Sequence, residues 1–191
     1  MRKVVLFMHV SLDNYVCDVN GGLGWISYDK ELQEYAGRIV DTVGMPMYGR
    51  TTYDMMAGYW PTVLEKPETA DAHSLHHARW VQEIPKVVFS TTMEKAEWNN
   101  TRLIKNNIAE EVQKLKAEPG KDLVIFGSPG LAQTFADLDL IDEFQLTIQP
   151  VVLGAGTRMF KDLKSPVKLQ MLSSTQFKSG VIGAHYEVVR K

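Results

Sequence analysis

The sequence predicts an α/β domain with a mixed, mostly parallel sheet and antiparallel strands added at its C-terminal edge. Two patterns predict it. Over the first two-thirds of the chain, Lys3–Val10, Val43–Tyr48, Lys86–Ser90 and Leu123–Phe126 are short apolar runs separated by helical stretches. Such runs are the habit of parallel strands covered by helices on both faces. After the last helical stretch the pattern changes: Glu143–Leu153, Val167–Phe177 and Val181–Arg190 are long, partly alternating strand-like segments, and Lys178-Ser179-Gly180 joins the last two as a hairpin. A chain of 191 residues makes one domain with a proper core and is cramped for two.

Composition narrows the function. Hydrophobic residues make up 45% and charged residues 23%, an ordinary globular balance. The net charge of −2 opposes a protein that coats nucleic acid. The single cysteine, Cys17, excludes an internal disulfide and a multi-cysteine zinc site. No apolar run approaches membrane-spanning length, and the opening strand-like segment is too short for a signal peptide. The expected location is the cytoplasm, with no membrane or nucleic-acid partner.

The elements follow in order. Lys3–Val10 is rich in β-formers and reads as a central strand, broken by Ser11-Leu12-Asp13-Asn14. Asn20–Trp25 holds Gly21, Gly22 and Gly24, so it reads as a mobile loop with one large aromatic. Trp25 is either tucked into the core or part of a lid. Asp29–Val40 is a helix by its stripe of Leu32, Tyr35, Ala36 and Ile39. Val43–Tyr48 is a strand weakened by Pro46. Tyr53–Ala57 opens a second helix, and Tyr59-Trp60-Pro61 begins a loop. Thr69–Gln82 is helical, with His73, His76 and His77 spaced at i, i+3 and i+4; lacking a further ligand, they read as solvated surface histidines, and no metal is expected. Thr101–Lys105 is a short edge strand. Asn107 with Glu110 forms a capping box for a helix striped by Ile108, Val112 and Leu115.

Asp122–Phe135 organises the rest. The buried-type strand Leu123–Phe126 turns through Gly127 into a helix with Ser128 at the N-cap and Pro129 at its first position. The corner is either a plain strand–helix turn or a set of free amides aimed at a phosphate. Gly49-Arg50-Thr51-Thr52 and Ser90-Thr91-Thr92 end two other strands in similar style. Ligands of open parallel sheets bind where such strand ends converge, so a dinucleotide site is expected here. No GxGxxG follows the first strand, and neither a P-loop nor a GxSxG nucleophile elbow occurs.

These corners, in this order, resemble the dihydrofolate reductase-like fold. Within it, the chain is similar to the reductase domain at the C-terminus of the bifunctional riboflavin-biosynthesis deaminase-reductase and to its stand-alone relatives. The landmarks are Ser11-Leu12-Asp13, Gly21-Gly22-Leu23-Gly24-Trp25, Gly49-Arg50-Thr51-Thr52-Tyr53, Ser90-Thr91-Thr92, Gly127-Ser128-Pro129-Gly130 and the run from Pro150 to Phe160, which together cover nearly the whole chain. The resemblance implies a three-layer α/β/α domain and an NADPH-dependent reductase. Its substrate would be a small heterocycle, ribosyl-pyrimidine or pterin, of the 5-amino-6-(5-phosphoribosylamino)uracil type.

The resemblance also implies roles. Arg50, Ser90 and Thr91 would hold the adenosine 2′-phosphate, and Gly49, Thr51 and Thr52 the neighbouring phosphates. Gly127, Ser128, Pro129, Gly130 and Leu131 would carry the pyrophosphate, and Val16 would lie against the nicotinamide. Trp25 would belong to the lid, and Leu32 and Tyr35 would line the substrate pocket. Glu31, or Asp29 in the other register, would be the proton donor, since a carboxyl among apolar walls has a raised pKa. The alternative is that both acids only stabilise the helix N-terminus, with water or a lysine supplying the proton. Dihydrofolate reductases usually carry three glycines and an arginine where this chain has Gly127-Ser128-Pro129-Gly130, so the preference for NADPH rests on Arg50. One cysteine cannot supply the zinc site of the deaminase half, so a free-standing reductase domain is expected. Related domains form homodimers, and the same is expected here. The rival from another class is a non-catalytic nucleotide- or pterin-binding module on a reductase scaffold.

Overall fold

The computed structural model describes residues 1–190. In chain order the first half comprises β1 (Val4–Ser11), β2 (Tyr15–Cys17), α1 (Lys30–Val40), β3 (Val43–Gly49), α2 (Arg50–Glu65), α3 (Ala72–Glu83) and β4 (Lys86–Phe89). The second half comprises β5 (Thr101–Ile104), α4 (Ile108–Ala117), β6 (Asp122–Phe126), α5 (Pro129–Asp137), β7 (Glu143–Gln149), β8 (Thr157–Arg158), β9 (Leu169–Gln176) and β10 (Ile182–Val188). Eight strands form the main sheet in the order β5-β4-β3-β6-β1-β7-β10-β9. The pairings from β5 to β7 are parallel, and β10 runs antiparallel to both β7 and β9.

Side-chain alternation on β1 explains the layers. Val4, Leu6, Met8 and Val10 face α4 and α5, where Val112, Leu115, Leu131 and Phe135 meet them. Val5 and Phe7 face the opposite layer, where Ala36 and Ile39 of α1, Tyr53 of α2 and Val81 of α3 pack. Each face of the sheet is thus covered by helices, in an α/β/α sandwich. Among the described residues no helix is long and apolar enough to cross a membrane.

Several local expectations change. Pro46, expected to weaken β3, sits in a central strand between β4 and β6 whose ladder is irregular between Val43 and Met45. Gly44 occupies that irregularity because a Cβ there would meet Lys121 O at 2.4 Å. Helix α2 does not stop at Tyr59 but runs through Pro61 to Glu65. Trp60 holds this stretch in place. Its ring stacks 4.3 Å from His77 of α3, and its Nε1 donates to Met56 Sδ at 3.0 Å. His77 is therefore half-buried between Trp60 and Trp80, not a solvated histidine. Asn107 starts α4, but in a left-handed conformation (φ 54°) that gives no side-chain cap; Glu110 pairs with Lys114 instead, at 2.8 Å. The two-stranded pair β2–β8 carries too few residues for any sequence periodicity, and it was not foreseen.

Candidate functional site

A cavity of about 690 Å³ opens beyond the C-terminal ends of β1, β3, β4 and β6. Its outer wall is built by two helix starts. Gly49 and Ser128 are the N-cap residues of α2 and α5, and neither helix has a side-chain cap. The first amides of each helix therefore have no intrahelical acceptor, and Arg50, Thr51, Thr52, Gly130 and Leu131 all line the cavity.

Ser128 explains why the corner takes this shape. Gly127 and Ser128 both adopt left-handed φ, 58° and 55°, an uncommon conformation for serine. The turn is anchored by Gly127 N donating to Phe7 O at 3.1 Å. The Ser128 side chain, buried and turned away from its own helix, accepts a hydrogen bond from Gly49 N at 3.0 Å. The two corners are thus tied to each other. The serine acts as a bridge, not as the side-chain cap its position suggests.

Arg50 donates through Nη1 to Thr92 Oγ1 at 2.8 Å and lies 3.5 Å from Asp54. Ser90 Oγ accepts from the Met93 amide at 3.1 Å, which shapes the loop after β4, and Ser90 and Thr91 both line the cavity. On the opposite wall stand Val16 and Cys17 of β2 with Gly21, Leu23 and Ile26 of the following loop. That wall is held by Asp13, whose carboxylate accepts from Ser11 Oγ at 2.7 Å, Leu153 N at 3.0 Å and Gly154 N at 2.7 Å. Desolvation pushes its pKa up, but these three hydrogen bonds outweigh that and bring it to about 2.

The first helix supplies no group to this cavity. Asp29 is the N-cap of α1 and accepts from Leu32 N at 2.9 Å, which keeps its carboxylate below the usual range. Glu31 accepts from Lys178 N at 2.9 Å and pairs with the Lys178 ammonium at 3.5 Å. Both carboxylates are spoken for outside the lining, one by its own helix and the other by the β9–β10 hairpin. Leu32 is fully buried against Phe177 and Val181, and Tyr35 packs edge-on to Phe177 at 5.4 Å. Trp25 does not line the cavity either, because its Nε1 turns back to Gly22 O at 3.2 Å. Leu23 and Ile26 are the loop's contribution in its place.

Sequence reasoning passed over other lining residues, notably His9, Met55, Met56 and Lys105. His9 sits inside an apolar run and reads as core. The available signal was a titratable group interrupting an otherwise apolar central strand.

A family model described as the RibD C-terminal domain matches residues 2–183. The chain belongs to the RibD C-terminal domain family. The uncharacterised protein YyaP of Bacillus subtilis (strain 168) is 35% identical to this RibD C-terminal domain over 187 residues, 97% of this chain and 94% of its own. Among solved structures, a candidate riboflavin biosynthesis protein from Shewanella sp. PV-4 superposes with a TM-score of 0.79 at 23% identity, covering 98% of this RibD C-terminal domain and 99% of that chain. Dihydrofolate reductase from Enterococcus faecalis, complexed with NADP(H), gives a TM-score of 0.64 at 12% identity over 98% of this chain and 97% of its own. This RibD C-terminal domain therefore has the dihydrofolate reductase-like fold.

Proposed function

We propose that the chain is an NADPH-dependent reductase of a small heterocyclic or carbonyl substrate. The observation that carries this reading is the pair of uncapped helix starts, linked by Ser128 Oγ and Gly49 N, facing one cavity. Their free amides suit a pyrophosphate. Arg50, beside Ser90 and Thr91 at the same rim, suits a further phosphate such as the adenosine 2′-phosphate. Val16, buried on the β2 wall, offers an apolar surface for the nicotinamide. NADPH, when bound, would supply the hydride. The chain would hold and orient both partners, and the Leu23–Ile26 wall would exclude water.

Titration calorimetry with NADPH, followed by NADPH oxidation against dihydrofolate, pterins, simple carbonyl compounds and the ribosylamino-pyrimidine of riboflavin synthesis, tests this. We expect binding and oxidation with one class of the panel; no NADPH binding would overturn the reading. A second reading is supported by one specific observation: no Asp or Glu lines the cavity, and the acids of α1 are engaged elsewhere. On that reading the chain binds nucleotide without turnover, and the same assay separates the two, since binding would appear without oxidation. We also propose a homodimer, supported by β9, an edge strand exposed along its entire length.

A further inference from the structure

His9 is half-buried in β1 and lines the cavity. By strand alternation it faces the α1 side of the sheet, like Phe7. Its Nδ1 meets Thr147 Oγ1 across the β1–β7 pairing. Thr147 is fully buried, and the imidazole is the hydrogen-bond partner of its hydroxyl. That contact selects the tautomer. A proton on Nδ1 would leave the hydroxyl hydrogen without an acceptor in a dry place, whereas a hydroxyl donating to Nδ1 satisfies both groups and leaves the ring proton on Nε2. Burial lowers the His9 pKa to about 4, so the ring is neutral at physiological pH.

Strand β7 carries a further polar side chain, which is buried and does not itself line the cavity. Gln149 lies two residues further along the same face of β7, paired with Ser11 of β1. Its Oε1 accepts from Ser27 N at 2.9 Å, and its Nε2 is buried with no partner among the described residues. The charges of the lining are equally informative. No Asp or Glu lines the cavity, and its cations, Arg50 and Lys105, stand at the ends of β3 and β5. Those strands lie two and four places from β1 in the sheet, about 10 and 19 Å at ordinary strand spacing. Near His9 the cavity thus offers one donor, apolar walls from Phe7, Met8 and Val16, and no countercharge for a phosphate or a cation.

We propose that His9 contacts the substrate in this cavity, its Nε2–H donating to a carbonyl oxygen or ring nitrogen of a neutral, unphosphorylated compound bound over the end of β1. Thr147 is the positioning residue that sets the tautomer. Calling the ligand a substrate rests on the reductase reading above.

The experiment uses the full chain labelled with 15N-histidine. At neutral pH, long-range proton–nitrogen spectra should give His9 as the neutral Nε2–H tautomer, assigned by the signal lost in His9→Gln, and Thr147→Val should shift the population toward Nδ1–H. The Nδ1–H tautomer or a charged ring in the unaltered protein overturns the proposal. Quinazolin-4-one, a neutral bicycle with carbonyl and ring-nitrogen acceptors, and uridine 5′-monophosphate are then titrated with and without NADP⁺. We expect quinazolin-4-one to move the His9 Nε2–H resonance and to lose affinity about tenfold in His9→Ala, with partial recovery in His9→Gln and an unchanged NADPH dissociation constant. No binding of quinazolin-4-one at millimolar concentration, tighter binding of the phosphorylated probe, or equal affinity in a folded His9→Ala protein each overturns it. If NADPH fails to bind, the reductase reading falls, while the tautomer and the probe titrations still decide the role of His9.

Discussion

Ser128 Oγ bridges two strand–helix corners through one hydrogen bond, so its removal should be felt at both. In Ser128→Ala the amide of Gly49 loses its acceptor at a partly buried position, a cost of about 1–3 kcal/mol. Denaturant unfolding should register that loss, and NADPH affinity should fall with it; an unchanged midpoint would contradict the bridge. On the proposed reading Arg50 serves the cofactor. A charged contact of this kind contributes about 1.5–3 kcal/mol, so Arg50→Ala should weaken NADPH about ten- to a hundredfold and NADH far less. Equal losses in calorimetry would refute its role at the 2′-phosphate. Two histidines set the acid response. Burial lowers His9 and His77 to about 4, from about 6.5 in the unfolded chain. Between those values the unfolded chain binds more protons than the folded one, so stability is retained above pH 6.5 and is lost as pH falls toward 4. The melting temperature should decline through that window, and His77→Gln should make the decline shallower. A flat profile from pH 6.5 to 4 would contradict both shifts.

At the level of elements, the loop after β2 is more constrained than its glycines suggest. Asp18 Oδ1 accepts from the amides of Asn20 and Gly22, both at 2.8 Å, and a Cβ at Gly22 would come within 2.6 Å of Asp18 Oδ2. Asp18→Ala should therefore raise amide exchange across residues 18–26 and raise KM for substrate, leaving the NADPH dissociation constant near its original value. Loss of NADPH affinity with unchanged exchange would mean the loop serves the cofactor instead. What was legible in the chain follows from local physics. The stripe Leu32-Tyr35-Ala36-Ile39 specifies α1, and the apolar run of Lys3–Val10 specifies β1, because burial of a whole face leaves a periodic mark. The continuation of α2 past Tyr59 left none: it depends on Trp60 meeting His77 of another helix. The site was legible where glycine must meet a helix start, at Gly49 and Gly127, and illegible where it depends on cross-strand register. The pairing of His9 with Thr147 joins residues 138 positions apart. Asp29 and Glu31 left two roles open in the sequence because an acid that begins a helix and one that serves a pocket occupy the same sequence position.

For the whole molecule, the exposed β9 edge is what supports the proposed homodimer. Met171 and Leu172 remain 52% and 45% exposed there. An edge with that much apolar surface invites a second copy. Light scattering at micromolar concentration should therefore give a dimer mass, and Met171→Arg should give a monomer that keeps the NADPH site. A monomer mass for the unaltered chain would count against the dimer.

The place of β1 between β6 and β7 also governs how the chain is born. Strand β1 acquires β6 only after about 115 more residues have been added and β7 only after about 140, the latter taking about 7–28 s at ordinary rates of synthesis. Until β6 emerges Val4–Val10 is an unpaired apolar segment on a growing chain, and until β7 emerges one of its edges stays open. Nascent protein stalled before Glu143 should accordingly be a client of ribosome-associated chaperones, and release should follow the emergence of Gln149.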